Sequence, residues 1–277
     1  MAMTRTLTII FLFFYVGVII YLLLFFLVPD FQAVVIENRQ RIANLTEGQN
    51  YFWALLISFL VCFIGSASIG FPVPFPFVLF SLSNSVYLKY RNYGQNLSEI
   101  LVTLPFWFEI LGIAVAGGLG CALGELTSFF LGKGAKKMTK GKELQAIKNV
   151  KGFGKLILER PKRTYIYIFI AAATPIPEDI LWLSLGLLDK KYYSFYKCFL
   201  ASWLGKNITT IFYCILPILF LLGFSALDIE TNDALSVINE AIMLLVTLTL
   251  MLIIFAFDWN KLLENRVKRK QELKKNK

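Results

Sequence analysis

Ala173-Thr174-Pro175-Ile176-Pro177-Glu178-Asp179 interrupts an apolar run, residues 165–188, that is otherwise long enough to pass for a membrane span. Each proline removes an amide donor, and its ring clashes with the preceding turn, so Pro175 and Pro177 end a helix there. Glu178 and Asp179 each add ~2.5–3.5 kcal/mol of insertion cost at a bilayer centre. Irregular backbone at membrane depth persists only when protein buries it or when it lines a wet cavity. The stretch therefore predicts a re-entrant hairpin over 164–188, in which one half-helix enters, the chain breaks, and a second half-helix returns. A break of this kind marks a candidate site.

The rest of the chain agrees with a membrane setting. Its 277 residues are 57% hydrophobic, 16% aromatic and 17% charged, with a mean hydropathy of +0.65. That composition excludes an ordinary soluble domain, and several runs approach the ~20 apolar residues that a span requires. The net charge of +10 is concentrated in two blocks, which fits cytoplasmic orientation and anionic lipid better than nucleic acid. Cys62, Cys121, Cys198 and Cys214 lie in apolar segments without metal-like spacing. Histidine is absent, which removes Ser-His and Cys-His nucleophilic pairs and most metal sites. No cofactor is expected.

Moving toward the N-terminus, a second interrupted segment covers 51–88. Its break is Gly70-Phe71-Pro72-Val73-Pro74-Phe75-Pro76, and Pro72, Pro74 and Pro76 bar a continuous helix. Residues 89–104 read as a polar connector. A long run over 105–132 follows, in which Gly112, Ala116, Gly120, Gly124, Ser128 and Gly132 recur every four residues. Such a stripe lets a neighbouring backbone approach closely, so Gly112, Gly120, Gly124 and Gly132 are assigned to helix packing. Glu125 lies about 100° round from Gly124, at the edge of that seam.

Residues 133–163 carry eleven Lys or Arg against Glu143 and Glu159, and 261–277 carry eight against two acids. Both blocks are predicted to be cytoplasmic. Spans at 6–28, 105–132, 192–223 and 236–257, with two hairpins that do not cross, then satisfy parity with both termini inside. The hairpin-plus-span units enter from opposite faces, an inverted pair, and paired Pro-interrupted segments point to a midplane site. The expected architecture is an all-α polytopic bundle. It comprises a first helix and external loop (1–50), a two-hairpin domain (51–223), and a last helix with a basic tail (224–277).

Residues 60–222 resemble the VTT-domain superfamily, also called DedA or SNARE-associated Golgi proteins. The likeness rests on Gly117-Gly118-Leu119-Gly120-Cys121-Ala122-Leu123-Gly124-Glu125-Leu126-Thr127-Ser128-Phe129-Phe130-Leu131-Gly132-Lys133-Gly134. It rests also on the Pro-x-Pro-x-Asp break followed by Gly186, Phe195 and Gly205-Lys206. The resemblance implies two facing re-entrant hairpins and transbilayer lipid movement. Eukaryotic relatives act as scramblases, and bacterial ones are linked to recycling of undecaprenyl phosphate or phosphatidylethanolamine. Two departures stand out. No acid lies near Pro72, Pro74 or Pro76, and no arginine lies within 165–188. Both favour a passive path over proton-coupled export.

Each candidate has a structural and a functional reading. Glu178 and Asp179 would cap the returning half-helix from its first turn, with Pro177 as the first helical residue; alternatively they meet a headgroup amine or carry protons. Glu125 would make an interhelical hydrogen bond as the protonated acid, or line the lipid path. Lys206, mid-helix, would snorkel, pair with Glu125, Glu178 or Asp179, or receive a lipid phosphate. Lys136, Lys137, Lys140 and Lys142 would orient the loop or bind anionic headgroups. Membrane lipids are the expected partners, self-association is left open, and the cell membrane is the expected location. An intramembrane aspartyl protease would need a facing partner for Asp179, and the apolar segments offer only Asp258, at a span end. A proton-coupled transporter and a non-catalytic adaptor are the competing classes.

Overall fold

The computed structural model describes residues 2–44, 50–68, 75–138, 161–174, 178–188, 193–226 and 233–256. All their regular structure is helical: α1 (Ala2–Leu27), α2 (Pro29–Ala43), α3 (Tyr51–Ala67), α4 (Phe75–Asn92), α5 (Leu97–Val102), α6 (Leu104–Gly124), α7 (Leu126–Met138), α8 (Pro161–Ala172), α9 (Asp179–Leu187), α10 (Phe195–Ala226) and α11 (Asp233–Ala256). Pro72, Pro74, Pro175, Pro177, Lys140 and Lys142 lie outside the described residues. So does most of the basic block at 133–163.

Two stretches, Leu104–Lys137 and Phe195–Ser225, are long and apolar enough to cross a membrane. The bent pair of α1 and α2 makes a third if it counts as one span. Four spans were expected; among the described residues two or three qualify by length and composition. α1 and α2 meet at 110°, where Pro29 opens the second helix and Asp30 sits in its first turn. The polar stretch after the first span is thus mostly helix, not loop.

The connector expected over 89–104 is also partly helical. α4 runs on to Asn92, and Asn96 starts α5 through a capping box with Glu99. Lys89, read as connector, is buried and pairs with the Glu109 carboxylate. Tyr90 donates to the same carboxylate at 3.3 Å, and the Tyr51 hydroxyl donates to the Glu109 carbonyl at 2.7 Å. Asn84 is buried in α4. Pro76 belongs to the first turn of α4, not to the break; its missing amide costs nothing there.

Two long helical rods organise the molecule. The first is α6 continued by α7, joined at Glu125; the second is α10. α6 packs along α3 while α7 packs on α9, and α10 packs on α8, α6 and α4. Each rod therefore packs on the helix that opens its own half of the chain (α3 or α8) and on one helix from the other half (α9 or α4). One core gathers Leu79, Val86, Phe106, Ile110, Ile113 and Ile218 around α3, α4, α6 and α10. A second gathers Phe129, Ile168, Trp182, Leu185 and Cys198 around α7 to α10. α1 and α11 form a smaller pair through Phe11, Val18, Ala241 and Leu248. Large apolar side chains stay exposed along the outer faces, among them Phe13, Ile64, Phe108, Ile170 and Phe212. An apolar surface of that extent suits a lipid environment.

The small-residue stripe serves two partners, not one. A Cβ at Gly120 would overlap the Phe59 carbonyl, and one at Gly124 would overlap the Phe63 carbonyl, both on α3. At Gly112 the obstacle is the Tyr51 side chain. Gly132 instead meets Leu183 and Gly186 on α9, and Gly186 meets the Phe129 carbonyl in return. At Gly120, Gly124 and Gly132 the backbones approach because the glycine carries no Cβ to separate them, and at Gly132 with Gly186 neither side does.

Candidate functional site

The two rods cross α3 and α8 in the same way. On α6, a Cβ at Gly124 would meet the Phe63 carbonyl, the Ser66 Cβ and the Ala67 amide. On α10, a Cβ at Gly205 would meet the Phe169 carbonyl, the Ala172 Cβ and the Ala173 amide. The contacted sequences match too: Phe63-Ile64-Gly65-Ser66-Ala67-Ser68 against Phe169-Ile170-Ala171-Ala172-Ala173-Thr174. Ser68 donates to the Ile64 carbonyl at 2.6 Å and Thr174 to the Ile170 carbonyl at 2.9 Å. Thr127 donates to the Ala67 carbonyl at 3.3 Å, and Thr209 to the Ala172 carbonyl at 2.8 Å. The Thr127 and Thr209 hydroxyls thus serve the last carbonyls of α3 and α8, which have no intrahelical partners.

The residue after each crossing glycine is charged. Glu125 follows Gly124, Lys206 follows Gly205, and the two meet at 3.1 Å. Lys206 Nζ also lies 2.5 Å from Glu178 Oε1. Glu178 Oε2 takes a 3.4 Å hydrogen bond from Ser202, one turn earlier on α10. The Glu125 and Glu178 side chains are 6% and 0% exposed and Lys206 is 12% exposed, so all three are withdrawn from surrounding solvent. Asp179 joins through α7, where Ser128 donates to its Oδ1 at 2.8 Å. The cluster thus unites Glu125, Glu178, Asp179 and Lys206, four residues singled out from sequence, with three carboxylates against one ammonium.

The capping reading holds only in part. α9 begins at Asp179, two residues later than expected, which keeps Asp179 in its first turn and makes Glu178 its N-cap residue. The Glu178 side chain makes no capping bond; it turns to Lys206 and Ser202 instead. Asp179 accepts from Ser128 on the other unit's rod. Competition explains the outcome. A lysine ammonium attracts a carboxylate by its full charge as well as by hydrogen bonding, which a backbone amide does not.

Ser128 was read only as part of the packing stripe, and Ser202, Trp182 and Asn207 escaped the sequence reading. Trp182 lies one turn beyond Glu178, fully buried against Phe129, and Trp203 lies one turn before Lys206. The Trp182 and Trp203 indole nitrogens, Glu125 Oε2 and Asn207 Oδ1 are buried without hydrogen-bond partners. Asn207 faces Gly118 so closely that any Cβ there would overlap its amide. Donors and acceptors with capacity to spare therefore surround the charged cluster.

Pro76 and Lys136 or Lys137 are not brought to this cluster; Lys136 and Lys137 end α7. Among the described residues no group of three or more His, Cys, Asp or Glu is arranged to hold a metal ion. No family model, no curated protein and no solved structure matches the chain.

Proposed function

We propose that the protein provides a path for lipid between leaflets, with Glu125, Glu178, Asp179 and Lys206 as its polar centre. In this reading α3 to α7 and α8 to α10 are inverted repeats, each with a re-entrant break, as in the VTT superfamily that the sequence resembles. The observation that carries it is the Glu125–Lys206 pair, one charge from each unit, beside the ends of both entering half-helices. Helix length supports it. α8 and α9 have 12 and 9 residues, about 18 and 14 Å at 1.5 Å per residue. Neither spans the ~30 Å hydrocarbon core.

Buried charges in a spanning bundle are unfavourable and tend to mark substrate or ion pathways. Here they coincide with unpartnered indole and amide groups, which a headgroup carrying both charges and hydrogen bonds can engage. The test is purified protein in liposomes whose lipids carry a fluorophore in both leaflets. Bleaching by an impermeant reductant beyond the outer-leaflet half is the expected result. Bleaching that stops at half overturns the proposal.

A second reading draws on the excess of carboxylates. Three acids around one lysine suit a site that takes up a cation, so proton-coupled transport of a small solute remains the alternative. It predicts no lipid movement, together with internal acidification of liposomes under an imposed pH gradient.

A further inference from the structure

Away from the charged cluster, the elbow between α5 and α6 shows apolar side chains where a connection between helices ordinarily meets water. Val102 is 80% exposed, Leu104 68% and Phe108 69%. From Ile100 to Phe108 the chain carries no charge. The elbow is nonetheless pinned to the protein. Ile100 is fully buried in the core, and Leu97 and Leu101 pack against the same core. One face of the elbow is thus held by protein and the other is left open.

The backbone at the open edge is closed off from water. The last carbonyls of a helix have no intrahelical partners and ordinarily turn to solvent or a cap. Here the Glu99 carbonyl accepts from the Thr103 hydroxyl at 2.9 Å, and the Ile100 carbonyl from the Thr103 amide at 3.0 Å. The Leu101 carbonyl accepts from the Trp107 indole at 2.8 Å. Pro105 brings no amide to the first turn of α6. Satisfying polar backbone internally is the condition for setting it against lipid. The other end of α5 is polar: Asn96, Ser98 and Glu99 are exposed, and Asn96 and Glu99 close a capping box. The six residues of α5 cover about 9 Å, enough to reach from headgroups to acyl chains.

The open edge continues into a longer apolar face. Leu104, Phe108, Leu111, Val115 and Leu119 are all exposed and recur every three or four residues along α6, which begins the stretch Leu104–Lys137 that is apolar enough to cross a membrane. This stripe starts at the first residue of α6, with no charged rim between it and Val102. We propose that the elbow is a lipid anchor, inserted in the leaflet from which α6 starts. Val102, Leu104 and Phe108 lie among the upper acyl chains, and Asn96, Ser98 and Glu99 lie among the headgroups. Acyl chains are the occupant because the open edge is continuous with the apolar outer face of a spanning helix. The anchor fixes the depth of the first rod and does not depend on lipid movement through the cluster.

The test places an environment-sensitive fluorophore on single cysteines of the full chain in phosphatidylcholine nanodiscs. The native cysteines are buried, and wild type treated with the same label gives the blank. Two quenchers are compared: aqueous iodide, and phosphatidylcholine spin-labelled near the top of its acyl chain. An inserted apolar face lies ~5–10 Å into the boundary between headgroups and acyl chains, so iodide should quench Val102→Cys roughly half as strongly as Ser98→Cys, or less. The spin-labelled lipid should show the reverse preference. Equal iodide quenching at the two positions would put the elbow in water and overturn the proposal. Shielding of position 102 from both quenchers would mean that a second copy covers the edge, and would overturn it as well. If Val102→Cys fails to fold, Leu104→Cys carries the same comparison.

Discussion

Glu125 and Lys206 hold matching places in the two halves of the molecule and are bonded to each other at 3.1 Å. Each follows the glycine at which its rod crosses α3 or α8, so the two crossings face one another through this pair. A crossing glycine sets the backbone distance. The next residue, about 100° round, points to the other unit. One local pattern thus fixes both the packing of each unit and the contact between them.

Lys206→Met is expected to be the most damaging single change in the cluster. It leaves Glu125 and Glu178 buried without their cation, and breaking a buried pair from one side costs about 3–5 kcal/mol. Replacing all three, as Glu125→Gln with Glu178→Gln and Lys206→Met, should restore most of the stability because no charge is then stranded. Thermal unfolding in detergent is the check. Equal midpoints for Lys206→Met and wild type would show that the pairing does not hold the halves together.

Glu178→Gln with Asp179→Asn is expected to fold and to lose lipid movement. Neither side chain is needed as a cap, and Ser128 and Ser202 can donate to an amide oxygen as they do to a carboxylate. The removal of two buried negative charges can even raise the unfolding midpoint. Lipid movement at the wild-type rate in this variant would remove the two acids from the path.

The two crossings should respond alike to a bulky residue. Gly124→Leu and Gly205→Leu both drive a side chain into carbonyl and amide atoms of a half-helix. Overpacking costs ~1–3 kcal/mol even where side chains can yield, and here the obstacle is backbone. Both variants should lose accumulation and monodispersity on gel filtration, whereas Gly17→Leu should not. A normal Gly205→Leu protein beside a collapsed Gly124→Leu protein would show that the crossings differ.

Thr127→Val and Thr209→Val remove hydroxyls that serve the carbonyls ending α3 and α8. Each should lower stability by about 1 kcal/mol, with the larger loss at Thr209, where the bond is shorter. Chemical unfolding of the two variants side by side gives the comparison.

Orientation is testable with single cysteines and an impermeant thiol reagent. The native cysteines are buried, so they should stay silent in the folded protein. Tyr93→Cys, at an exposed position, should label from outside, and Lys148→Cys should label only after the membrane is opened. Asn84 is buried and serves no purpose as a marker. Internal labelling at position 93 would reverse the assigned topology.

The charged cluster was legible because charges in apolar segments have few places to go. Lys206 had three carboxylates to choose from, and it took two of them. The stripe announced close approach without naming the partner, since small residues every four positions describe a helix face and nothing beyond it. That is why its division between α3 and α9 had to come from the fold. Other signals were present and passed over. Pro29-Asp30 opens a helix by ordinary start rules, and Asn96 with Glu99 forms a capping box. The echo of 63–68 in 169–174 shows the equivalence of the crossings directly in sequence. The Lys89–Glu109 pair was missed because each charge stands near the end of an apolar segment, where solvent would ordinarily claim it.

α10 runs for 32 residues, about 48 Å, and grips α8 toward one end and α4 toward the other. A rod fixed in this way works as a lever. Any tilt carries its ends in opposite directions, so a gap that widens beside α4 narrows beside α8. The other rod, gripping α3 and α9, repeats the motion from the opposite side. A tilt of either rod would therefore change the packing beside its two partner helices in opposite senses.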